Sequence, residues 1–220
     1  MKSGAGSFLL RKMSELLSDS NGNVQWPAQC CVPAFVYAAL RIRGVAFQNP
    51  ATLPLRLGVC VGPDDSNPLG LPVVEEGKDH VHGVAAKAVE PLIQALLTEM
   101  MIPMFFRYLP VNKVPLGLYE DIVVDALKED LVVGLGVDVS QLWTISRGKK
   151  ALHVFRVLSL LQGKITLFDD SAECTPAKIV CDWEVIEQGM LSAHGGFWIF
   201  GDRAALDQRF PSLLNIGSAQ

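Results

Sequence analysis

Gln25-Trp26-Pro27-Ala28-Gln29-Cys30-Cys31-Val32-Pro33-Ala34-Phe35-Val36-Tyr37-Ala38-Ala39-Leu40-Arg41-Ile42-Arg43-Gly44 reads as a polar loop that breaks into a buried helix. Pro33 suits the first helical turn, where a missing N–H costs nothing. Ala34, Phe35, Ala38, Ala39 and Ile42 then recur at helical spacing. Arg41 and Arg43 fit the last turn, and Gly44 supplies a left-handed cap.

This places Cys31 where the N–H groups and the positive end of the helix dipole point. Such a position lowers a thiol pKa and favours the nucleophilic thiolate. Gln25 lies on the approaching loop, where its amide can donate to an oxyanion forming beside Cys31. The bland reading makes Cys31 one more small buried hydrophobe, as most cysteines are. Cys30 is the rival nucleophile, and a Cys30–Cys31 vicinal disulfide would silence both. The six-residue spacing from Gln25 favours Cys31. A base elsewhere in the chain would tip the balance.

The rest of the composition narrows the class. At 220 residues, one domain with a substantial core is expected, spanning 1–220. Half the residues are hydrophobic and mean hydropathy is +0.29, which predicts a globular chain. The net charge of -4 and a sequence without basic-aromatic clusters give no support to nucleic-acid binding. No apolar run is long enough to span a bilayer, so no membrane partner is expected. No secretion signal is read at Met1 to Leu10. The five cysteines are odd in number and lack framework spacing, which suggests reduced thiols in a cytoplasmic setting. Delivery by a dedicated secretion machine is compatible with the same features.

Taken in order, residues 8–18 pattern as a short amphipathic helix. Leu55 to Val61 reads as a strand, and Gly62 to Pro72 is crowded with turn formers, a surface excursion. A loop insertion is therefore expected at 62–82. A helix is expected over Val84 to Met101, started or kinked by Pro91. Residues 104–109 read as a strand and Leu118 to Lys128 as a helix. Leu131–Val139, Leu152–Leu161, Ile165–Asp169 and Phe197–Phe200 are β-like. Helices followed by an antiparallel sheet make an α+β domain.

The candidate base opens one of those strands. His153 begins it, and Lys164 to Asp170 returns after Gln162-Gly163. A two-residue turn of Gln162-Gly163 pairs Leu161 with Lys164 and sets Asp169 opposite Arg156, on the wrong face for His153. A three-residue loop, Leu161-Gln162-Gly163, puts glycine at its left-handed position and sets Asp169 opposite Phe155. The three-residue loop is the expectation. Asp169 then lies diagonal to His153, within carboxylate–imidazole reach. A carboxylate on one ring nitrogen leaves the other to take the thiol proton. Taken singly, His153 reads as a satisfied core histidine and Asp169 as a turn former; their joint placement behind Cys31 is what points to chemistry.

Other motifs carry less. Asp79-His80-Val81-His82 resembles half a metal site, but nothing downstream completes it, so neither metal nor cofactor is expected. His194-Gly195-Gly196 reads as a turn entering the last strand. Gly134-Leu135-Gly136 has no phosphate-loop helix after it. Glu75-Glu76 reads as solvated surface.

Gln25, Cys31 opening an alanine-rich helix, and a histidine followed 16 positions later by Asp169 together resemble papain-like cysteine peptidases. The resemblance is closest to the bacteriocin-processing family, which removes double-glycine leader peptides. It implies a papain-like α+β fold, with a helical N-terminal half packed on an antiparallel sheet. It implies Gln25 as oxyanion donor, Cys31 as nucleophile, His153 as general base then acid, and Asp169 as orienter. The chain departs from the family pattern at Cys30, Val32, Leu152 and Asp170. The expected function is a thiol hydrolase cleaving a peptide or isopeptide bond in a peptide or protein substrate. The alternatives are an acyltransferase or transglutaminase-like enzyme using the same triad, and a catalytically inactive papain-like binding module.

Overall fold

In the computed structural model, the described residues are 24–27, 29–47, 49–75, 82–142, 152–171 and 177–203. The chain divides into two units, residues 1–92 with 170–173, and residues 93–169 with 174–220. The expected helix at 8–18 lies outside the described residues.

In the first unit the helix anticipated after the polar loop runs from Cys31 to Ile42 (α1). Its buried stripe is Val32, Pro33, Ala34, Phe35, Val36, Ala39 and Leu40. Burying Phe35, Val36 and Leu40 contributes about 1.5–3 kcal/mol each. Gly44 ends the helix at φ +73°, with Gly44 N–H donating to Arg41 O at 3.0 Å and Val45 N–H to Leu40 O at 2.9 Å. This is a Schellman cap, and it needs a residue tolerant of positive φ.

The stretch read as a strand from Leu55 is instead a short helix, Leu53–Arg56 (α2). Pro54 presets the first turn, and Gly58 at φ +68° closes it, so punctuation overrides the apolar run. Only bridges remain of the strand, Cys60 with Gly83 and Val61 with Val73. The turn-rich excursion is packed: Leu69 and Leu71 are buried, and Asn67 bonds both the N–H and the carbonyl of Leu71. The next helix, Ala86–Glu99 (α3), runs through Pro91 instead of starting there.

The second unit, which begins at Ile93 within α3, holds a six-stranded antiparallel sheet and two further helices. The strands are β1 (Phe105–Pro110), β2 (Val132–Asp138), β3 (Leu152–Leu161), β4 (Lys164–Phe168), β5 (Lys178–Asp182) and β6 (Gly196–Gly201). Their order is β1-β6-β2-β3-β4-β5. The helices are α4 (Tyr119–Lys128) and α5 (Trp183–Ser192). Ile122, Val123 and Ala126 of α4 and Trp183, Ile186 and Met190 of α5 share one core with Leu135, Val137, Phe155, Val157, Leu167, Phe197 and Ile199.

Two close approaches set the middle of the sheet. A Cβ on Gly195 would lie 1.9 Å from the carbonyl oxygen of Gly136. One on Gly196 would lie 2.6 Å from the Tyr108 ring. The double glycine is therefore a packing requirement where β6 enters between β1 and β2.

The β3–β4 hairpin corrects the expected three-residue loop. Leu161 pairs with Lys164 around a two-residue turn, with Gln162 at φ +52° and Gly163 at φ +70°. Those angles match the twist of the flanking strands. The ladder then slips between Val157 and Ser159, leaving Leu158 as a bulge and bringing Arg156 opposite Phe168. One step further, Asp169 comes beside Phe155. The bulge, not the loop length, sets that placement.

Candidate active site

Cys31 is the first residue of α1, and no side chain caps that helix end. Cys30 precedes it, its carbonyl accepting from Ala34 N–H at 2.9 Å. The two thiols differ sharply in access: Cys30 is 0% exposed, whereas Cys31 is partly exposed. Cys30, Cys31, Cys60 and Cys181 are all thiols. Gln25 is exposed on the approaching segment, which Trp26 anchors by an edge-on contact with Tyr37 at 5.8 Å.

A residue that pattern reading passed over lies in the same turn. Gln29 sits at φ +67°, and its Nε2 donates to Asp65 Oδ2 at 3.4 Å. The same Asp65 oxygen accepts from Gly62 N–H at 2.8 Å. Asp65 thus fastens the loop that begins at Gly62 to the turn that precedes Cys31. A positive φ at glutamine has no simple sequence signal, and the Asp65 contact spans 36 positions. His82 packs where a Cβ on Gly62 would go, 2.7 Å away, and its Nε2 is buried without a hydrogen-bond partner.

His153 is the second residue of β3, opposite Val137, and Asp169 follows the last residue of β4. Their side chains meet: His153 Nε2 and Asp169 Oδ1 are 2.9 Å apart, with side-chain exposures of 7% and 0%. The His153 ring leans on Phe155 at 4.7 Å, tilted by 54°. Asp169 is held from its backbone too, its N–H donating to Ala177 O at 2.8 Å. A buried carboxylate bonded to Nε2 fixes the tautomer, placing the proton on Nε2 and the basic lone pair on Nδ1. It also supports the ring once protonated.

The structure therefore brings together His153 and Asp169 in the second unit. Cys31 and Gln25 belong to the first. Among the described residues, no group of three or more His, Cys, Asp or Glu side chains is arranged to hold a metal ion, and Asp79 and His80 lie outside them. No helix among the described residues is long and apolar enough to cross a membrane.

A second buried carboxylate also went unanticipated. Asp138, at the end of β2, accepts from Ser140 N–H at 2.9 Å, Ser140 Oγ at 2.7 Å and Ser192 Oγ at 2.9 Å. Its bonds tie the end of α5 to the sheet. This is structural work, since three donors satisfy the carboxylate.

Sequence comparison finds no matching family model and no matching curated protein. Structural comparison does find likeness. A solved structure from Bacillus anthracis, described as a putative C39-like peptidase, matches with a TM-score of 0.53 at 11% sequence identity. The match covers 84% of this chain and 96% of that one. The helices and the six-stranded antiparallel sheet of this chain thus form an α+β fold of the papain-like kind.

Proposed function

We propose that this chain is a papain-like thiol hydrolase that cleaves a peptide or isopeptide bond. The observation that carries the reading is the buried 2.9 Å contact between His153 and Asp169, on a fold shared with a protein described as a putative peptidase. The partial exposure of Cys31 at an uncapped helix start supports its role as nucleophile.

In this reading His153 takes the Cys31 proton on Nδ1, and Asp169 supports the resulting imidazolium through Nε2–H. The thiolate attacks the substrate carbonyl carbon, and the carbonyl π electrons move to oxygen. Gln25 donates its side-chain amide to that oxyanion. As the intermediate collapses, the C–N bond breaks and the leaving amine takes the proton from His153, leaving a thioester on Cys31. Water then gives a proton to His153 and attacks the thioester. The acid departs, and the thiolate–imidazolium pair is restored.

The test is alkylation by iodoacetamide at neutral pH, read residue by residue by mass spectrometry. Cys31 should react several-fold faster than Cys60, consistent with a thiolate-rich site. His153→Ala should abolish the advantage. Equal rates for Cys31 and Cys60 in the native chain would overturn the reading in favour of a binding module.

A further inference from the structure

The outer edge of β5 carries a pattern independent of the site above. The sheet ends at this strand, Lys178-Ile179-Val180-Cys181-Asp182. Among the described residues no strand pairs with its far side. Two flanking hydrogen bonds fix which way its backbone groups point. Asp169 N–H donates to Ala177 O, and Trp183 N–H donates to Gly163 O, both at 2.8 Å. The ladder pairs Ile165 with Cys181 and Leu167 with Ile179 in the same phase. In an antiparallel ladder bonded residues alternate, so Ile179 and Cys181 bond inward while Lys178, Val180 and Asp182 aim their N–H and C=O outward.

Those outward residues are also exposed side chains, Val180 at 61%. Charged ends and short length normally blunt an edge against foreign strands. Here the charges are opposite and equidistant from Val180. A two-fold axis through Val180 turns Lys178 onto Asp182 of a second copy, and Asp182 onto Lys178. The same register places each outward residue opposite another outward residue, so every outward N–H finds a carbonyl. Among the described residues Lys178 has no ion-pair partner, while Asp182 pairs with Lys164. An edge repellent to most strands is complementary to itself.

We propose that β5 is the self-association edge of this protein, pairing antiparallel with β5 of a second copy about Val180 to join two sheets into one. The contact is isologous and closes at two copies. Two five-residue strands bury less than a standard interface, so association is weak and concentration-dependent.

Sedimentation velocity of the full chain across about 10 µM to 1 mM, the range suited to a small interface, tests this. The weight-average mass should climb from 23.9 kDa toward twice that value. K178D and D182K should each hold the monomer mass, because each sets like charges opposite one another. Mixed in equal amounts, the two variants present complementary charges and should associate as the native chain does. Unfolding midpoints matching the native chain show that the variants remain folded. A native chain that stays monomeric throughout would overturn the proposal. So would K178D or D182K self-associating unaided, or a mixture that fails to associate when the native chain does.

Discussion

Asp169 reaches His153 with a side chain removed from solvent, so its charge acts at short range and with little screening. Asp169→Asn keeps the shape and one hydrogen bond but removes that charge. The imidazolium is then less supported, and so is the thiolate it would pair with. The lower limb of the pH–alkylation profile of Cys31 should move up, because more alkali is needed to reach the same thiolate fraction. At neutral pH, each tenfold loss of thiolate should slow alkylation about three- to fourfold, because a more basic thiolate is intrinsically more nucleophilic. Cys181 provides an internal reference. Burial, then the Asp182 carboxylate, pushes its thiol up, with Lys164 pulling the other way, so it stays protonated at neutral pH and labels slowly. An unchanged Cys31 profile in Asp169→Asn would show that the carboxylate does not orient the ring for this sulfur.

The hairpin shows how an element converts spacing into contact. Asp169 follows His153 by 16 positions, and a regular ladder around the Gln162-Gly163 turn would send its side chain to the opposite face. Leu158 absorbs the extra residue, and Val157 and Leu160 both stay in the core although three positions apart. That break in alternation was present in the sequence, in Val157-Leu158-Ser159-Leu160, but a run of apolar residues hides which one leaves the ladder. Deleting Leu158, 39% exposed, should make the ladder regular without moving Asp169 from beside Phe155. The deletion should cost about 1 kcal/mol or less, as expected away from the core. Fast alkylation of Cys31 should persist; its loss in a folded deletion variant would mean the bulge also aims the ring. Other elements were legible for clear reasons. Pro33 and Gly44 bracket α1, and a glycine turn separates β3 from β4. By contrast, β5 passes directly into α5 at Trp183 with no glycine or proline between them, so neither element was marked. Asp130 and His194 end α4 and α5 at φ +56° and +48°, positions where glycine would have been the readable signal.

At the scale of the molecule, the α+β class follows from periodicity, whereas the strand order does not. β6, the last described strand in sequence, lies second in the sheet between β1 and β2. Pairing across such separations is decided by which strands fit, and here the fit is set by absent side chains. Gly195 and Gly196 let β6 enter against Gly136 on one side and Tyr108 on the other. A strand with a Cβ at either place could not seat without parting the sheet at its centre. The same two residues read, in one dimension, as an ordinary turn. Gly195→Ala should therefore be a global rather than a local lesion. The colliding atom is a backbone carbonyl at 1.9 Å, which cannot swing aside as a flexible side chain would. A loss above about 4 kcal/mol is expected, a large share of the 5–15 kcal/mol that typically holds a domain together. Gly117→Ala is the matched control, since nothing lies within 4 Å of the added Cβ. It should change stability by no more than about 1 kcal/mol in either direction. Urea unfolding followed by tryptophan fluorescence distinguishes the two, with Trp198 of β6 pairing to Tyr108 and Gly134 across both junctions. Equal midpoints for the two variants would mean that β6 tolerates a side chain at its entry, and that its place between β1 and β2 is fixed by something other than this close approach.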